Sequence, residues 1–350
     1  MNRPLRTGLF SLCAIAAVTL SSACVGSPSG GSAAGPTEAK NLKVGWSTIY
    51  LTPSWMQQTE KLLKARVDEL KGNGVVASYE TFNANGDTAQ QASQIESMVR
   101  QKYNVILVDA GSSTALDSAL EDAVDAGVTV VNFDSLVSSD KVIRVGTDQK
   151  KWGEITAEFI VKSLNGKGDV IAFNGPAGVA VSEDRWQGAK AVFDKNPGIN
   201  VVSILNSEYN IAPAAQAFAS AYAAHPNIDA VFSQGGAQSA AALKIITEQN
   251  GRLVPISGEN YNGFLKLWAA NLPRGFTSLS TAQPNYMSVV SLDAAIAKIK
   301  GEKVAKDIDI PLPTITNENL NQYVDEAGPD DQYPFPAVSE VEINRILGLG

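Results

Sequence analysis

Polar and apolar positions alternate with two different periods from Leu42 onward. The stretch SWMQQTEKLLKARVDELKG, residues 54–72, places its apolar side chains at helical spacing, which predicts an amphipathic helix. The stretch NVILVD, residues 104–109, is a near-continuous apolar run, typical of a strand covered by helices on both faces. Strand and helix signals alternate as far as residues 141–148, and then a second series begins. The sequence therefore predicts an α/β fold of two doubly wound parallel-sheet lobes.

The first forty residues have a different pattern. Arg3 and Arg6 precede a short apolar run and the small residues SSA, which is the order of a secretory signal peptide, here residues 1–23. The next residue, Cys24, resembles the lipidated cysteine of a lipobox, and residues 24–41 form a tether rich in Gly, Ser, Ala and Pro. We therefore predict an extracytoplasmic protein that an N-terminal lipid anchors to the cell membrane.

Composition and charge narrow the range of partners. The chain has 44% hydrophobic and 18% charged residues, which is ordinary for a globular protein in solution. Loss of the predicted signal peptide removes two arginines and no acid, so the net charge changes from −8 to −10. Because an acidic surface repels phosphate groups, we expect no nucleic-acid partner.

Residues that carry enzyme or metal chemistry are sparse. His225 is the sole histidine and precedes a proline at the end of a predicted helix, and Cys13 and Cys24 are the only cysteines. The sequence has no nucleophile elbow, no metal-ligand spacing and no phosphate loop. We therefore expect no metal, no cofactor and no catalysis, and a two-carboxylate glycosidase stays a remote alternative.

Polar side chains stand where the predicted strands end. In a doubly wound sheet, ligands bind at the carboxyl ends of the strands. Any one such residue is also a common helix cap, but their recurrence in both halves indicates a site for a neutral, hydroxyl-rich molecule. These strand ends are Ser47, Asp109, Asp134 and Asp148 in the first half, and Asn174, Ser207 to Tyr209, Gln234, Asn260 and Gln283 in the second.

A series of local motifs runs in a fixed order along residues 42–315: KVGWST, VTVVNFD, VGTD, EDRWQG, VFSQGG, ISGENYNG and STAQPNYM. In this order they resemble the ribose- and galactose-binding proteins of ABC importers, which have the type I periplasmic-binding-protein fold. The resemblance implies two lobes joined by a hinge that close on a monosaccharide. It also implies a permease in the membrane as the partner, and a monomeric chain.

The resemblance further implies which side chains contact the ligand. Trp55 corresponds to an aromatic ring that packs on the sugar, Asp134 to a hydroxyl acceptor in the N-terminal lobe, and Arg185 to an arginine of the opposite lobe. Carboxylate and guanidinium groups can each bond two adjacent hydroxyls, while aromatic rings cover the C–H faces of a sugar. The other implied contacts, at strand ends, hinge crossings and an aromatic position, are Ser47, Asp148, Gln149, Tyr209, Asn260 and Gln283.

Several positions depart from the ribose-type pattern. Ser135 stands where those proteins have an arginine, Asn260 where they have an aspartate, and Gly235 where they have a side-chain amide. These changes leave room for a larger aldose or a polyol, so the predicted ligand is a neutral monosaccharide or sugar alcohol. Trp186 has two interpretations, since its ring either enlarges the aromatic lining or packs in the core beneath its helix.

The resemblance also divides the chain. We expect an N-terminal lobe of residues 42–148 plus 283–301, a C-terminal lobe of residues 149–282 plus 302–315, and an extension, residues 316–350, packed on the lobes.

Two other functions are compatible with the same fold. One is a sensor that presents a bound ligand, such as a furanose-like signal, to a receptor. The other is a LacI-like repressor, which requires an N-terminal helix-turn-helix where this chain has its signal sequence.

Overall fold

Two parallel sheets covered by helices make up the residues that the computed structural model describes, namely 38–52, 54–335 and 338–349. The predicted signal peptide, Cys24 and residues 25–37 of the tether lie outside the described residues. Within the described ranges, no helix is both long enough and apolar enough to cross a membrane.

The first βαβ series builds one sheet with its helices. Its elements are β1 (Leu42–Thr48), α1 (Ser54–Gly72), β2 (Val76–Asn83), α2 (Thr88–Arg100), β3 (Val105–Asp109), α3 (Asp117–Asp125), β4 (Thr129–Phe133) and β5 (Ile143–Gly146). Every residue of β3 is buried, as expected for an apolar strand with helices on both faces.

The second series repeats this arrangement. Its elements are α4 (Gln149–Ser163), β6 (Gly168–Asn174), α5 (Ala180–Asp194), β7 (Ile199–Asn206), α6 (Ile211–Ala224), β8 (Ala230–Ser233), α7 (Gly236–Glu248), β9 (Ile256–Gly258), α8 (Asn262–Asn271) and β10 (Ser278–Thr281). The last part of the chain adds α9 (Met287–Ile299), β11 (Asp307–Asp309), β12 (Thr314–Ile315) and α10 (Glu340–Leu347).

The strand order is the same in both sheets, with β2-β1-β3-β4-β5-β11 in the first and β7-β6-β8-β9-β10-β12 in the second. Paired strands run parallel, except that β12 is antiparallel to β10 among the strands described. The arrangement confirms the predicted α/β fold of two doubly wound parallel-sheet lobes. It also places the carboxyl ends of the strands, where such sheets bind ligands, at one edge of each lobe.

The segment 302–315 differs from the expected division. We assigned it wholly to the C-terminal lobe, but β11 pairs with β5 and so belongs to the first sheet, while β12 pairs with β10 in the second. The guanidinium Nε of Arg144 donates to the Asp307 carboxylate at 2.6 Å beside the β11–β5 pair. A strand of three residues carries too little pattern to reveal its partner, so the free edge of the first sheet decides the pairing.

The large aromatic side chains pack beneath the helices of each lobe. Trp46 is fully buried in the first lobe, with its ring centroid 5.9 Å from that of Phe133. In the second lobe Trp186 packs on Phe193 and Phe232, with ring centroids 6.5 Å and 6.1 Å away. Trp186 therefore belongs to the core beneath α5, which decides between its two interpretations.

The chain passes between the lobes at several points along one side of the sheets. Within the described residues these passages lie between β5 and α4, between β10 and α9, and between β11 and β12. Asp148 lies in the first passage, immediately before Gln149 at the start of α4, and Gln283 lies in the second, as the sequence predicted for the hinge crossings.

Candidate ligand-binding site

A cavity of about 270 Å³ opens between the carboxyl ends of the two sheets. It lies where doubly wound sheets bind their ligands, and it takes side chains from both lobes. Its polar and aromatic lining includes Trp55, Asp109, Asp134, Arg185, Tyr209, Glu259, Gln283 and Tyr333. Arg185 is the single basic residue among the described residues that line it.

Four groups hold the side chain of Arg185, which is 3% exposed in the second turn of α5. Its Nε donates to Gln149 Oε1 at 2.8 Å, its Nη1 to the carbonyl oxygen of Gln234 at 2.7 Å, and its Nη2 to Gln283 Oε1 at 2.7 Å. The Trp152 ring lies beneath the guanidinium group, 4.3 Å from its central carbon to the ring centroid. A buried charge is costly unless it is paired or hydrogen-bonded, so these contacts offset the cost of burying the guanidinium group.

A chain of hydrogen bonds links Arg185 in the second lobe to Asp134 in the first. Gln283 Oε1 accepts from Arg185 and, at 2.6 Å, from Gln149 Nε2. The Nε2 of Gln283 donates to Asp134 Oδ1. The hinge residues Gln149 and Gln283 therefore connect the charged groups of both lobes. Gln149, which we predicted to contact the ligand, does not line the cavity and instead holds the side chain of Arg185.

The backbone holds Asp134 in an unusual conformation at the end of β4. Its φ of +64° lies in the left-handed region, which is uncommon for a residue with a side chain. Tyr209, on the opposite side of the cavity, has a φ of +57°. Conformations of this kind cost on the order of 1 kcal/mol and are concentrated at functional sites.

Two buried carboxyl groups lie together on the first-lobe side. Burial raises the pKa of Asp134 to about 6, although the Arg185 guanidinium opposes the rise. Burial and the neighbouring Asp134 charge also raise the pKa of Asp109 well above its ordinary value. Two close carboxyl groups cannot both ionise at low cost, so one of them retains its proton as the pH rises.

The contacts of Thr48 indicate which carboxyl group holds the proton. Thr48 Oγ1 lies 2.7 Å from the carbonyl oxygen of Tyr50 and 3.1 Å from Asp109 Oδ2. A hydroxyl group has one hydrogen and a carbonyl oxygen can only accept, so that hydrogen points at Tyr50. Asp109 Oδ2 therefore has at most a share of the Thr48 hydrogen, and the buried Oδ1 of Asp109 has no hydrogen-bond partner among the described residues, so its negative charge would be poorly compensated. The geometry therefore favours a protonated Asp109 and an ionised Asp134.

On the second-lobe side, Glu259 occupies the place that we had given to Asn260. Glu259 lines the cavity, and its carboxylate lies 3.5 Å from Arg185 Nη2. Asn260 lies outside the lining and donates from Nδ2 to the carbonyl oxygen of Pro334 at 2.7 Å. Neighbouring residues at a strand end point in different directions, so a shift of one position in the motif ISGEN exchanges the two side chains. The acid within that motif is the signal that sequence reasoning missed.

Aromatic side chains line the cavity from both lobes. The indole Nε1 of Trp55 donates to the carbonyl oxygen of Gln283 at 3.0 Å, which fixes the ring beside the hinge. Tyr209 Oη lies 3.2 Å from Gln234 Oε1, and burial raises the pKa of Tyr209 to about 12, so its hydroxyl stays neutral. Tyr50 lines the entrance and is 42% exposed.

Two other predicted contacts do not reach the cavity. Ser47 is fully buried and its Oγ faces Gln94 Oε1 at 3.5 Å, because the side chains of Ser47 and Thr48 point to opposite faces of β1. Asp148 is exposed and accepts from the Lys151 backbone N–H at 2.8 Å, as the N-cap of α4. Its role in the structure is therefore the cap, which is the common use of aspartate at such a position.

Tyr333 is a lining residue that the sequence did not reveal. It lies in the C-terminal segment, 74 residues after Glu259 in the chain, and no motif connects it with the other lining residues.

Among the described residues, no group of three or more His, Cys, Asp or Glu side chains is placed to hold a metal ion.

Residues 44–303 match the model of a family described as periplasmic binding protein domain. The ribose import binding protein of Bacillus subtilis is 26% identical over 237 residues, which cover 67% of this chain and 76% of that protein. The xylitol-binding protein of Mycolicibacterium smegmatis is 26% identical over 241 residues, which cover 68% of each protein. These relatives are named as binding proteins, in agreement with the expectation that the chain is not an enzyme.

Solved structures share the two-lobed fold. An ABC transporter solute binding protein from Thermobispora bispora has a TM-score of 0.78 at 22% identity, covering 87% of this chain and 94% of that one. One from Bacillus halodurans with bound myo-inositol has a TM-score of 0.72 at 19% identity, covering 82% of this chain and 98% of that one. Because the family model spans most of the chain and the fold agrees with it, the chain belongs to the periplasmic binding protein domain family.

Proposed function

We propose that this chain is the extracytoplasmic solute-binding protein of an ABC importer. It captures a neutral monosaccharide or sugar alcohol between its lobes and delivers it to a permease in the membrane. The observation that carries this proposal is the hydrogen-bonded chain from Arg185 through Gln283 to Asp134, which joins the lobes at the cavity.

The groups around the cavity suit a polyhydroxylated molecule. Asp134 and Glu259 can accept from hydroxyl groups, and the guanidinium of Arg185 can donate to ring or hydroxyl oxygens. Trp55 and Tyr209 offer aromatic faces for the C–H groups of a sugar ring. A few placed polar groups among aromatic rings are the usual composition of a small-molecule site.

The charges in the cavity favour a neutral ligand. A protonated Asp109 leaves the ionised Asp134 beside Arg185, and burial raises the pKa of Glu259 as well. The positive charge of Arg185 is therefore matched by Asp134, and the lining has no excess of positive charge to bind an anion. An anionic ligand, such as a sugar phosphate, would meet these acids with only Arg185 to pair with it.

Closure between the lobes explains how capture and release alternate. Ligand contacts from Asp134 on one lobe and Arg185 on the other are made together only when the lobes are close. A ligand that binds this state more tightly shifts the population toward it. The Bacillus subtilis relative is named as an import protein, which favours transport over the sensor alternative.

A screen of thermal stability against pentoses, hexoses and sugar alcohols tests the proposed ligand class. A ligand at 100 times its dissociation constant should stabilise the protein by about 2.7 kcal/mol. Sugar phosphates of the same ring serve as the charged control and should give a smaller shift in Tm. If no neutral sugar or sugar alcohol raises Tm, the proposed function is wrong.

The anchoring proposal rests on Cys24 and needs its own experiment. We propose that Cys24 carries a lipid and that the tether holds the lobes beside the membrane. Cys24→Ser should move the protein from the membrane fraction to the soluble extracytoplasmic fraction. The same protein with Cys13→Ser should stay in the membrane fraction. Membrane association that survives Cys24→Ser would refute the lipid anchor.

A further inference from the structure

The segment from Asp325 to Phe335, here named the strap, is bound to the second lobe by backbone and side-chain hydrogen bonds. The backbone N–H of Asn262 donates to the carbonyl oxygen of Gln332 at 2.9 Å. The side-chain Nδ2 of Asn262 donates to the carbonyl oxygens of Asp325 at 2.8 Å and Pro329 at 3.0 Å. The strap therefore follows the start of α8 closely.

The strap is also bound to the first lobe, at Gln58 on α1. The Oε1 of Gln58 accepts from the backbone N–H of Tyr333 at 2.7 Å, and its Nε2 donates to the carbonyl oxygen of Tyr333 at 2.8 Å. One side-chain amide thus satisfies both backbone groups of one residue. The neighbouring Gln332 and Pro334 accept instead from Asn262 and Asn260 of the second lobe. Three consecutive residues are therefore held alternately by the two lobes.

After the strap, the chain continues into α10 on the first lobe. Ile343 and Leu347 of α10 are buried in the same apolar cluster as residues of α1 and α9. Leu320, before the strap, is buried in the core of the second lobe. The C-terminal segment therefore adds a connection between the lobes beyond those that follow β5, β10 and β11.

The ring of Tyr333 forms part of the cavity wall. It lines the cavity, and Tyr333 is 4% exposed. Its ring packs edge-on against Tyr261, with centroids 5.7 Å apart and an interplanar angle of 71°. Burial raises the pKa of Tyr333, and the nearby Glu259 carboxylate raises it further, so the hydroxyl stays a neutral donor. Because its backbone is bound by both lobes and its ring packs on Tyr261, the ring is held at the cavity wall while the lobes are close.

We propose that Tyr333 contacts the ligand and sets its size limit, with the strap holding the ring in place. This inference rests on the proposed function and deepens it, because it assigns the size limit of the ligand to one residue. The cavity of about 270 Å³ lies at the lower end of small-molecule sites, which occupy about 300–1,000 Å³. A disaccharide would require the space that the Tyr333 ring occupies.

The size limit is tested with the single-ring ligand from the thermal screen and a disaccharide of the same sugar. Tyr333→Ala should weaken binding of the single-ring ligand about tenfold, as loss of a buried aromatic contact does, and should allow the disaccharide to bind. Tyr333→Leu and Tyr333→Phe fill more of the space and should still exclude the disaccharide. Phe159→Ala removes an aromatic ring that packs on the core of the second lobe, outside the lining and away from the strap, and should leave both measurements as in the unaltered protein. If Tyr333→Ala keeps its affinity and still excludes the disaccharide, the proposal is overturned.

Hydrogen exchange tests the strap without any ligand. In the full chain, Gln58→Ala removes the acceptor of the Tyr333 N–H, and exchange of that amide should accelerate at least about tenfold. Gln57→Ala is the matched control, because Gln57 is exposed and donates instead to the Thr52 carbonyl oxygen at 3.0 Å. Equal exchange in the two variants would refute the strap.

The two experiments separate the possible failures. Faster exchange in Gln58→Ala, with no sugar or sugar alcohol bound by the unaltered protein, would leave the strap standing and overturn the proposed function together with the size limit. Binding of a single-ring sugar that Tyr333→Ala does not alter would leave the proposed function standing and overturn the role of Tyr333.

Discussion

The two sides of the cavity carry their charge in different ways. On the first-lobe side, Asp134 and Asp109 are close carboxyl groups with raised pKa values, and Asp134 stands in a left-handed conformation. On the second-lobe side, the buried guanidinium group of Arg185 donates to Gln149, Gln234 and Gln283. The first-lobe side therefore consists of carboxyl groups whose ionisation responds to their surroundings. The second-lobe side holds a guanidinium group fixed by its partners, with the Glu259 carboxyl group beside it.

This difference indicates a division of work between the lobes. A guanidinium group with fixed partners loses little entropy when it meets a ligand, so the second lobe supplies a preorganised donor. The first lobe supplies acceptors whose ionisation depends on their surroundings. A ligand that brings hydroxyl groups to Asp134 stabilises the ionised form, as hydrogen bonds to a carboxylate do.

The largest expected effect comes from the fixed side. Arg185→Ala should weaken ligand binding at least about 100-fold, because it removes a buried, hydrogen-bonded charge and leaves Glu259 unpaired. It should also lower the free energy of unfolding by about 3 kcal/mol. Calorimetric titration well below Tm measures the first effect, and urea unfolding measures the second. Arg100→Ala is the control, because Arg100 is 67% exposed and pairs only with Glu96 at 3.5 Å. An unaltered dissociation constant in Arg185→Ala would contradict the proposed role.

Asp134→Asn tests the responsive side. The amide keeps an oxygen for the Gln283 donor but removes the charge, so binding should weaken by roughly 10- to 100-fold, as loss of a charged hydrogen bond does. Asp148→Asn is the matched control, because the exposed Asp148 caps α4 outside the cavity. It should leave the dissociation constant unaltered. The idea fails if both substitutions have the same effect in the same titration.

Gln149→Ala tests whether the hinge holds the guanidinium group in place. The variant leaves the Nε–H of Arg185 without its acceptor but keeps the contacts to Gln234 and Gln283. Affinity should fall by roughly three- to tenfold, the usual effect of one lost hydrogen bond. Gln101→Ala, which removes an exposed amide that donates to Ser97 Oγ at 3.0 Å, is the control for the titration. Equal affinities in these two variants would show that Gln149 has no positioning role.

The same two sides show how far sequence reasoning reaches. The alternation of periods identifies both sheets, because every strand of a covered sheet needs an apolar run and every helix an apolar stripe. Arg185 is recognisable because a cation near a helix N-terminus opposes the helix dipole and so calls for a compensating partner. Local physical rules of this kind act within a few residues and are visible in the sequence.

The positions that sequence reasoning missed depend on direction or on distant contacts. Ser47 differs from Thr48, and Asn260 from Glu259, only in which way a side chain leaves the end of a strand. The strap residue Tyr333 reaches the cavity through hydrogen bonds to Gln58, which is 275 residues away in the chain. No local pattern encodes a contact of that range.

The smallest expected effect on binding, and the clearest on stability, comes from Asp109→Asn. Folding raises the pKa of Asp109, so the folded state binds its proton more tightly, and the stability from this group is lost as the pH rises through the raised pKa. The free energy of unfolding should therefore fall as the pH rises above the ordinary carboxyl range in the unaltered protein and fall less in Asp109→Asn, with the difference growing by about 1.4 kcal/mol for each unit of pKa shift removed. The amide keeps an oxygen for the Thr48 hydroxyl, so the dissociation constant at pH 7 should change less than in Gln149→Ala. Urea unfolding at several pH values measures the slopes. Parallel slopes would mean that Asp109 titrates as an ordinary carboxyl group.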